Sequence, residues 1–131
     1  MTSSRADRSR TARIARLNDQ ARQAMGIACA AVTTAGFRAL SGADQSRVRE
    51  LIETYNGFTR GNDPHCERDF GAIFKGSDGR WTCRLPSRGE AVATVFWKID
   101  CYDRAMQFGS PDPADPAITR RVLTIMLASE Y

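Results

Sequence analysis

The longest strand pattern in this sequence is Ala91-Val92-Ala93-Thr94-Val95-Phe96-Trp97-Lys98-Ile99-Asp100-Cys101-Tyr102. Successive side chains of a β-strand point to opposite faces of its sheet, so alternate residues share one environment. One face carries Val95, Trp97, Ile99 and Cys101, and the other carries Thr94, Phe96, Lys98, Asp100 and Tyr102. We expect the first face to pack in the core because it is the more apolar, and the second to be half-exposed.

Three further strands are predicted around this one. Residues 70–75 and 80–85 flank Gly76-Ser77-Asp78-Gly79, a hairpin turn in which Asp-Gly supplies the positive φ angles that such turns need. A second turn is expected over residues 86–89. The apolar stretch at residues 27–34 predicts a buried strand earlier in the chain.

Three helices are predicted from apolar residues at helical spacing. The first covers residues 11–25, the second runs from Asp44 to Tyr55, and the last follows the proline-rich loop at residues 109–116, with Asp115 as its N-cap. The last helix is expected to bury Ile118, Val122, Ile125 and Met126. The predicted order is therefore helix–strand–helix–strand–strand–strand–helix. This order predicts a single α+β domain, with a mostly antiparallel sheet of about four strands and helices on one face.

The chain of 131 residues is the length of one domain. Residues 1–10 are polar and rich in arginine, so we expect a disordered terminus followed by the domain at residues 11–131. No apolar run reaches the roughly 20 residues of a membrane span, and no secretory signal is recognisable. We therefore expect a soluble cytoplasmic protein that does not contact membranes, with reduced cysteines and no cofactor.

Positive charge is concentrated early in the chain. Residues 1–49 contain nine arginines and three aspartates, a balance of +6. Arg13 and Arg16 belong to this region, and such arginines can bind phosphate backbones weakly and without sequence preference. The alternative is a solvated basic terminus, because no aromatic residue lies among them for base stacking.

A motif loop precedes the strand at residues 70–75 and contains Asn62, Asp63, His65, Glu67 and Asp69. If the segment is extended, His65, Glu67 and Asp69 share one face and, with Asp100, form a possible metal site for hydrolysis. The alternative, which we favour, is a loop ordered by local hydrogen bonds. In that case Asp63 forms an Asx-type turn before Pro64, and Asp69 pairs with Arg68 or a neighbouring arginine.

A binding surface for a protein or nucleic acid is predicted near the hairpin. Aromatic and basic side chains are typical anchors of such surfaces. The predicted anchors are Arg80, Arg84, Phe96, Lys98 and Tyr102. Lys98 and Asp100 also resemble part of a nuclease core, although an ion pair between them is the simpler interpretation.

Several segments resemble a known family: Asn62-Asp63-Pro64-His65, Glu67, Asp69-Phe70-Gly71, Trp97-Lys98-Ile99-Asp100, Tyr102-Asp103, Asp112-Pro113-Ala114-Asp115-Pro116 and Arg121-Val122-Leu123-Thr124-Ile125-Met126-Leu127-Ala128. They are similar to segments of domain-of-unknown-function family 3768, and the similarity extends over roughly residues 11–131. The resemblance implies an accessory protein of plasmids and other mobile elements of alphaproteobacteria. It implies no activity and no catalytic residues.

We therefore expect an interaction protein rather than an enzyme. Its expected partner is a host protein or ribonucleoprotein complex of defence or nucleic-acid processing, which it inhibits or modulates as anti-CRISPR and anti-restriction proteins do. This expectation rests on the resemblance. Two alternatives stay open: a metal-dependent hydrolase or nuclease using the motif loop, and a small accessory protein that binds nucleic acid.

Overall fold

The structure is a computed structural model, and it describes residues 4–86 and 90–131. Within these residues the α-helices are α1 (Arg5–Gln23), α2 (Ala35–Arg38) and α3 (Gly42–Glu53). The strands are β1 (Ala30–Thr33), β2 (Phe70–Lys75), β3 (Trp81–Thr82), β4 (Ala93–Tyr102) and β5 (Arg120–Leu127). A short 3-10 turn, Ala128–Glu130, follows β5.

β4 is the central strand of the sheet. The described strands are arranged in the order β1-β5-β4-β2-β3, with β1 parallel to β5 and all other neighbours antiparallel. Trp97 on β4 lies opposite Ile125 on β5 and Gly71 on β2. The α+β class of a single small domain is confirmed. The sheet differs from the prediction in having a fifth strand and a parallel pair at one edge.

The core lies between the helices and the predicted apolar face of β4. Val95, Trp97 and Ile99 are buried, which confirms that face. The neighbouring strands contribute Ile73, Leu123 and Ile125, and the helices contribute Ala21, Phe37, Val48 and Ile52. The sheet therefore has one face covered by helices and one face, bearing Phe96, that these side chains do not cover.

The predicted last helix is wrong, because residues 120–127 form strand β5. The sequence there fits two periods, since Val122, Ile125 and Met126 follow a helical spacing while Leu123 and Ile125 alternate as in a strand. β4 pairs with every residue of β5 on one side and β1 pairs with it on the other. Pairing on both sides outweighs the local preference. Asp115 caps no helix, and its carboxylate accepts a hydrogen bond from the Ala117 amide (2.9 Å) within a turn.

The first helix begins earlier than the sequence predicts. α1 starts at Arg5, so residues 5–10 are helical rather than disordered, and residues 1–3 lie outside the described residues. Ser4 caps the helix by accepting a hydrogen bond from the Asp7 amide (3.0 Å). Arg10 forms an ion pair with Asp112 at 2.9 Å. A capped first turn and a tertiary contact explain why this polar segment is ordered.

Three smaller differences concern strand and helix boundaries. β1 is four residues long and lies at a sheet edge, where Val32 is 45% exposed, so the predicted buried strand at residues 27–34 is wrong in length and burial. The short helix α2, capped by Thr34, was not predicted. β3 covers two residues instead of 80–85, and most of the predicted turn at 86–89 lies outside the described residues.

Arg22 connects α1 to the end of α3 inside the protein. Only 2% of its surface is exposed. Its Nη1 donates to the main-chain oxygens of Ile52 (2.8 Å) and Glu53 (3.0 Å), and its Nη2 donates to the Asp19 carboxylate (3.0 Å). Carbonyls in the last turn of a helix have no partner within the helix and attract positive charge. Arg22 therefore adds two hydrogen bonds and a positive charge at the C-terminus of α3, where the Tyr55 amide also donates to the Ile52 oxygen.

An aromatic cluster surrounds the same guanidinium. Its Cζ lies 5.8 Å from the ring centroid of Phe58 and 5.9 Å from that of Trp97. Tyr55 packs edge-on against both rings, at centroid distances of 4.7 and 5.3 Å. A Cβ atom at Gly71 would collide with the Trp97 indole nitrogen, so the glycine on the neighbouring strand leaves room for the indole.

We expect Arg22→Ala to lower the free energy of unfolding by about 3–5 kcal/mol, because it leaves helix carbonyls and a carboxylate without their buried partner. Arg47→Ala is the matched control. Arg47 also forms an ion pair with a residue three positions away, Glu50, but both side chains are more than half exposed. Its loss should cost less than about 0.5 kcal/mol. Denaturant melts measure both changes, and equal losses would contradict the role given to Arg22.

Candidate functional site

The face of the sheet opposite the helices is the first candidate surface, and we call it the open face. Strand register assigns its side chains, since paired residues point to the same side. Its central members are Phe70, Phe96, Lys98, Asp100, Tyr102, Val122, Thr124 and Met126. The predicted division of β4 into two faces places Phe96, Lys98 and Tyr102 here, and all three are half-buried.

Three aromatic rings meet at the centre of the open face. Phe70 and Phe96 lie on neighbouring strands with ring centroids 5.1 Å apart. Tyr131 packs against both, at 5.8 Å from Phe70 and 5.7 Å from Phe96, with its ring steeply inclined to theirs. Tyr131 is itself 76% exposed. These rings, which we call the aromatic triad, therefore present apolar surface to the solvent side of the sheet.

An ion pair borders the aromatic triad. The Nζ atom of Lys98 lies 2.8 Å from a carboxylate oxygen of Asp100, and each side chain is about one-third exposed (35% and 37%). The hydrogen bond from Lys98 to Asp100 raises the pKa of the Lys98 ammonium. The ion-pair interpretation of these two residues is therefore confirmed. They place a polar border beside an apolar centre.

The other predicted binding residues lie elsewhere. Arg80 and Arg84 flank β3 at the hairpin end of the sheet, whereas Lys98 pairs with Phe70 at the far end of β2. Arg13 and Arg16 are exposed on α1. The structure thus separates the predicted anchors into three surfaces. The length of β2 keeps the hairpin apart from the end of the sheet where Phe70 pairs with Lys98.

The motif loop is ordered by hydrogen bonds, as the favoured interpretation predicts. Asn62 exchanges hydrogen bonds with Thr59, and the Asp63 carboxylate accepts from the Arg68 amide (3.2 Å). Two contacts attach the loop to α1: Asn18 Nδ2 donates to the Glu67 oxygen (2.8 Å), and Arg68 pairs with Asp19 at 2.9 Å. The prediction paired Asp69 with Arg68 or a neighbouring arginine, whereas Arg68 pairs with Asp19.

The predicted metal face of the loop does not form. Cys66 and Arg68 have φ angles of 59° and 55°, so the segment is not extended and its alternate residues do not share a face. His65 is exposed. Among residues 4–86 and 90–131, no three histidine, cysteine or acidic side chains are grouped closely enough to hold a metal ion. The set of His65, Glu67, Asp69 and Asp100 is therefore not assembled as ligands.

Comparison with protein families identifies the chain. Residues 33–130 match the model of a family described as a protein of unknown function, DUF3768. The chain belongs to this family. The match covers every strand except part of β1, all of α2 and α3, the motif loop and the open face, but it does not include α1. No curated protein and no solved structure matches the chain.

The structure adds residues that the sequence did not single out. Phe70 and Tyr131 complete the aromatic triad, and Phe70 could have been assigned to the open face once its pairing with Lys98 was known. Nothing local to Tyr131 indicates where its ring packs. In the described part of the chain, no helix is both long and apolar enough to cross a membrane.

Asp69 is an acidic group near the open face whose ionised form is disfavoured by burial. Burial raises the pKa of its carboxyl, and the neighbouring charges of Asp63 and Asp100 add to the effect while His65 opposes it. Because the folded pKa lies above the unfolded value of about 3.9, the carboxyl favours folding when protonated. That contribution is complete below the unfolded pKa and is lost as the pH rises through the folded pKa.

We therefore expect Asp69→Asn to raise the melting temperature at pH 7, by roughly 2–5 °C. The difference from the parent protein should shrink steadily as the pH falls toward 4. Glu53→Gln, at an exposed position on α3, is the control and should give a difference that depends little on pH. Thermal melts across this pH range measure both. A stabilisation by Asp69→Asn that is largest at low pH would refute the assignment.

Proposed function

We propose that this protein is a non-enzymatic binding protein whose open face docks on a partner protein. The observation that carries the proposal is the aromatic triad on the sheet face that the helices leave uncovered. Protein interfaces combine a desolvated aromatic centre with a polar border. Phe70, Phe96 and Tyr131 provide the centre, and the Lys98–Asp100 pair provides part of the border.

The placement of two triad residues on the sheet supports this role. Phe96 and Phe70 are held by adjacent paired strands, so their rings lose little conformational freedom when a partner covers them. The exposed ring of Tyr131 offers a hydroxyl at the edge of an apolar surface. Aromatic side chains with these properties are the common anchors of interfaces.

The identity of the partner is a narrower part of the proposal. A host complex of defence or nucleic-acid processing, inhibited in the manner of anti-CRISPR or anti-restriction proteins, is supported by the resemblance to a mobile-element family alone. A cytoplasmic location belongs to the same proposal. Among surfaces on the molecule, the open face is the one we assign to that partner.

Site-specific photo-crosslinking in cells tests the surface. A photoreactive residue at Thr124, beside Lys98 on the open face, should give a covalent adduct with a partner protein that mass spectrometry identifies. The same residue at Gln20, exposed on α1, should give none. Adducts at Gln20 alone, or an adduct at Thr124 that contains only a second copy of this chain, would overturn the proposal.

A pair of phenylalanine variants then measures the contribution of the triad. Phe96→Ala should weaken binding of the identified partner by about 2 kcal/mol, roughly 30-fold in affinity, as loss of a central anchor does. Phe108→Ala removes a ring that is 71% exposed outside the triad and should leave affinity unchanged. Denaturant melts of both variants show whether weaker binding comes from the lost contact with the partner or from a less stable fold.

A second candidate function is weak nucleic-acid binding by α1. The helix places the exposed residues Arg5, Arg13 and Arg16 on the side opposite the buried Ile14. The side chains of these three arginines make no hydrogen bond or ion pair with a described residue. Cations ordered along one helix face can contact successive phosphates, which bind without reading sequence.

The salt dependence of binding to a short DNA duplex tests this candidate. Replacing Arg5, Arg13 and Arg16 by Gln should reduce the slope of log affinity against log salt by about 3, one unit for each lost phosphate contact. The control replaces Arg47, Arg80 and Arg84 by Gln and changes the net charge equally. Equal effects of the two triple variants, or tight sequence-selective binding at high salt, would contradict a specific role for α1.

A further inference from the structure

An open groove of about 770 Å³ lies between α3 and the end of the sheet formed by β3. Helix α3 contributes Arg47 and Leu51 to one side of it. The hairpin turn, β3 and the segment that follows contribute the other side. The lining residues on that side include Asp78, Arg80, Trp81, Cys83, Arg84 and Leu85.

The groove runs beside an unpaired strand edge. β3 is the last strand of the sheet, and among the described strands it pairs with β2 alone. After Thr82 the chain continues through residues 83–86 without forming another strand. A strand edge presents main-chain N–H and C=O groups that an extended segment can pair with. The groove therefore combines side-chain surface with a backbone template.

The charge of the groove is positive. Arg80 and Arg84 make no side-chain hydrogen bond or ion pair with a described residue. Arg47 is paired with Glu50, but the two side chains are 53% and 66% exposed, so the pair is weak. Burial raises the pKa of the Cys83 thiol, and the charges of Arg47 and Arg84 oppose that rise. Among the described lining residues, the three arginines Arg47, Arg80 and Arg84 outnumber the single carboxylate, Asp78, so the groove favours an acidic ligand.

The remaining lining favours a peptide over a nucleic acid. Leu85 is 66% exposed and Leu51 is half-buried, so the groove offers aliphatic contacts. Trp81 is only 5% exposed, and its Nε1 donates to Asp44 at 2.9 Å. Single-stranded nucleic acids need exposed aromatic rings on which bases stack, and this groove does not present its tryptophan in that way.

We propose that the groove binds an extended acidic peptide segment of another protein, which adds as a strand to the outer edge of β3 and places carboxylates against Arg80 and Arg84. The site lies at the hairpin end of the sheet and does not involve the aromatic triad. Its failure would leave the proposal for the open face intact, and the reverse also holds.

Fluorescence anisotropy with labelled heptapeptides tests the proposal. The probe is a peptide in which glutamate alternates with valine, and the comparison peptide has glutamine in place of glutamate. Glutamate carboxylates can pair with the guanidinium groups of Arg80 and Arg84 and glutamine amides carry no charge, so the glutamate peptide should bind about tenfold more tightly. Equal affinity for the two peptides, or no binding of either, would overturn the proposal.

Matched variants locate the bound peptide. Arg80→Gln combined with Arg84→Gln should remove the preference for glutamate, whereas Arg13→Gln combined with Arg16→Gln makes the same change in net charge and should preserve it. All four arginines are exposed, so melts of both double variants should match the parent protein. A preference that survives the first double variant would place the peptide elsewhere and refute the assignment.

Two further measurements test whether the peptide adds as a strand and which class of ligand the groove prefers. Two versions of the glutamate peptide carry N-methyl groups on alternate amides. One version is methylated at the odd-numbered amides and the other at the even-numbered amides. At least one should bind about tenfold more weakly, because methylation removes the donors that pair with β3. Retained affinity for both would refute strand addition. An oligothymidine of similar charge should bind more weakly than the peptide, and tighter binding that depends on Arg80 and Arg84 would assign the groove to nucleic acid instead.

Discussion

The buried guanidinium of Arg22 on α1 connects that helix to the end of α3 and to Trp97 on the central strand. It donates hydrogen bonds to the last carbonyls of α3 and to Asp19 on its own helix. The same carboxylate of Asp19 also pairs with Arg68, which attaches the motif loop. Beneath the guanidinium lie the rings of Phe58 and Trp97, so a single charged group joins two helices, a loop and the central strand. Removing this buried charge takes a hydrogen bond from the Ile52 and Glu53 carbonyls and from Asp19, although Ile52 keeps the Tyr55 amide and Asp19 keeps Arg68.

Covering one face of the sheet has consequences for the other. The buried side chains of α1, α2 and α3 belong to the core on the Trp97 side, and the opposite side is contacted at its centre by Tyr131. A two-layer arrangement therefore leaves a sheet face with an aromatic centre, and β3 pairs on one side only among the described strands. The open face and the β3 groove differ in chemistry, one aromatic and the other cationic. This difference is why we assign them to separate ligands.

The motif loop shows how residue types can suggest a site that the backbone does not build. Histidine and two carboxylates at alternate positions match a metal face only if the chain is extended. Left-handed conformations at Cys66 and Arg68 break that alternation, and the contacts of Asn18 and Asp19 hold the loop against α1. The side chains of Asn62, Asp63 and Arg68 order the loop, whereas Asp69, one of the motif carboxylates, is left half-buried with a raised pKa.

The sequence by itself determined the elements whose patterns have one interpretation: β2, β4, α3, the hairpin turn at residues 76–79 and the core face of Val95, Trp97 and Ile99. It also indicated Phe96 as a surface aromatic residue and the local ordering of the motif loop. Only the tertiary structure decided that residues 120–127 are a strand, because their apolar positions satisfy a helical and a strand period equally and pairing with β1 and β4 selects between them. The candidate surfaces were decided in the same way. Strand register brings together Phe70 and Phe96, which are distant in the chain, and Tyr131 packs against both. The packing of α3 beside β3 likewise brings Arg47 and Arg84 to one groove.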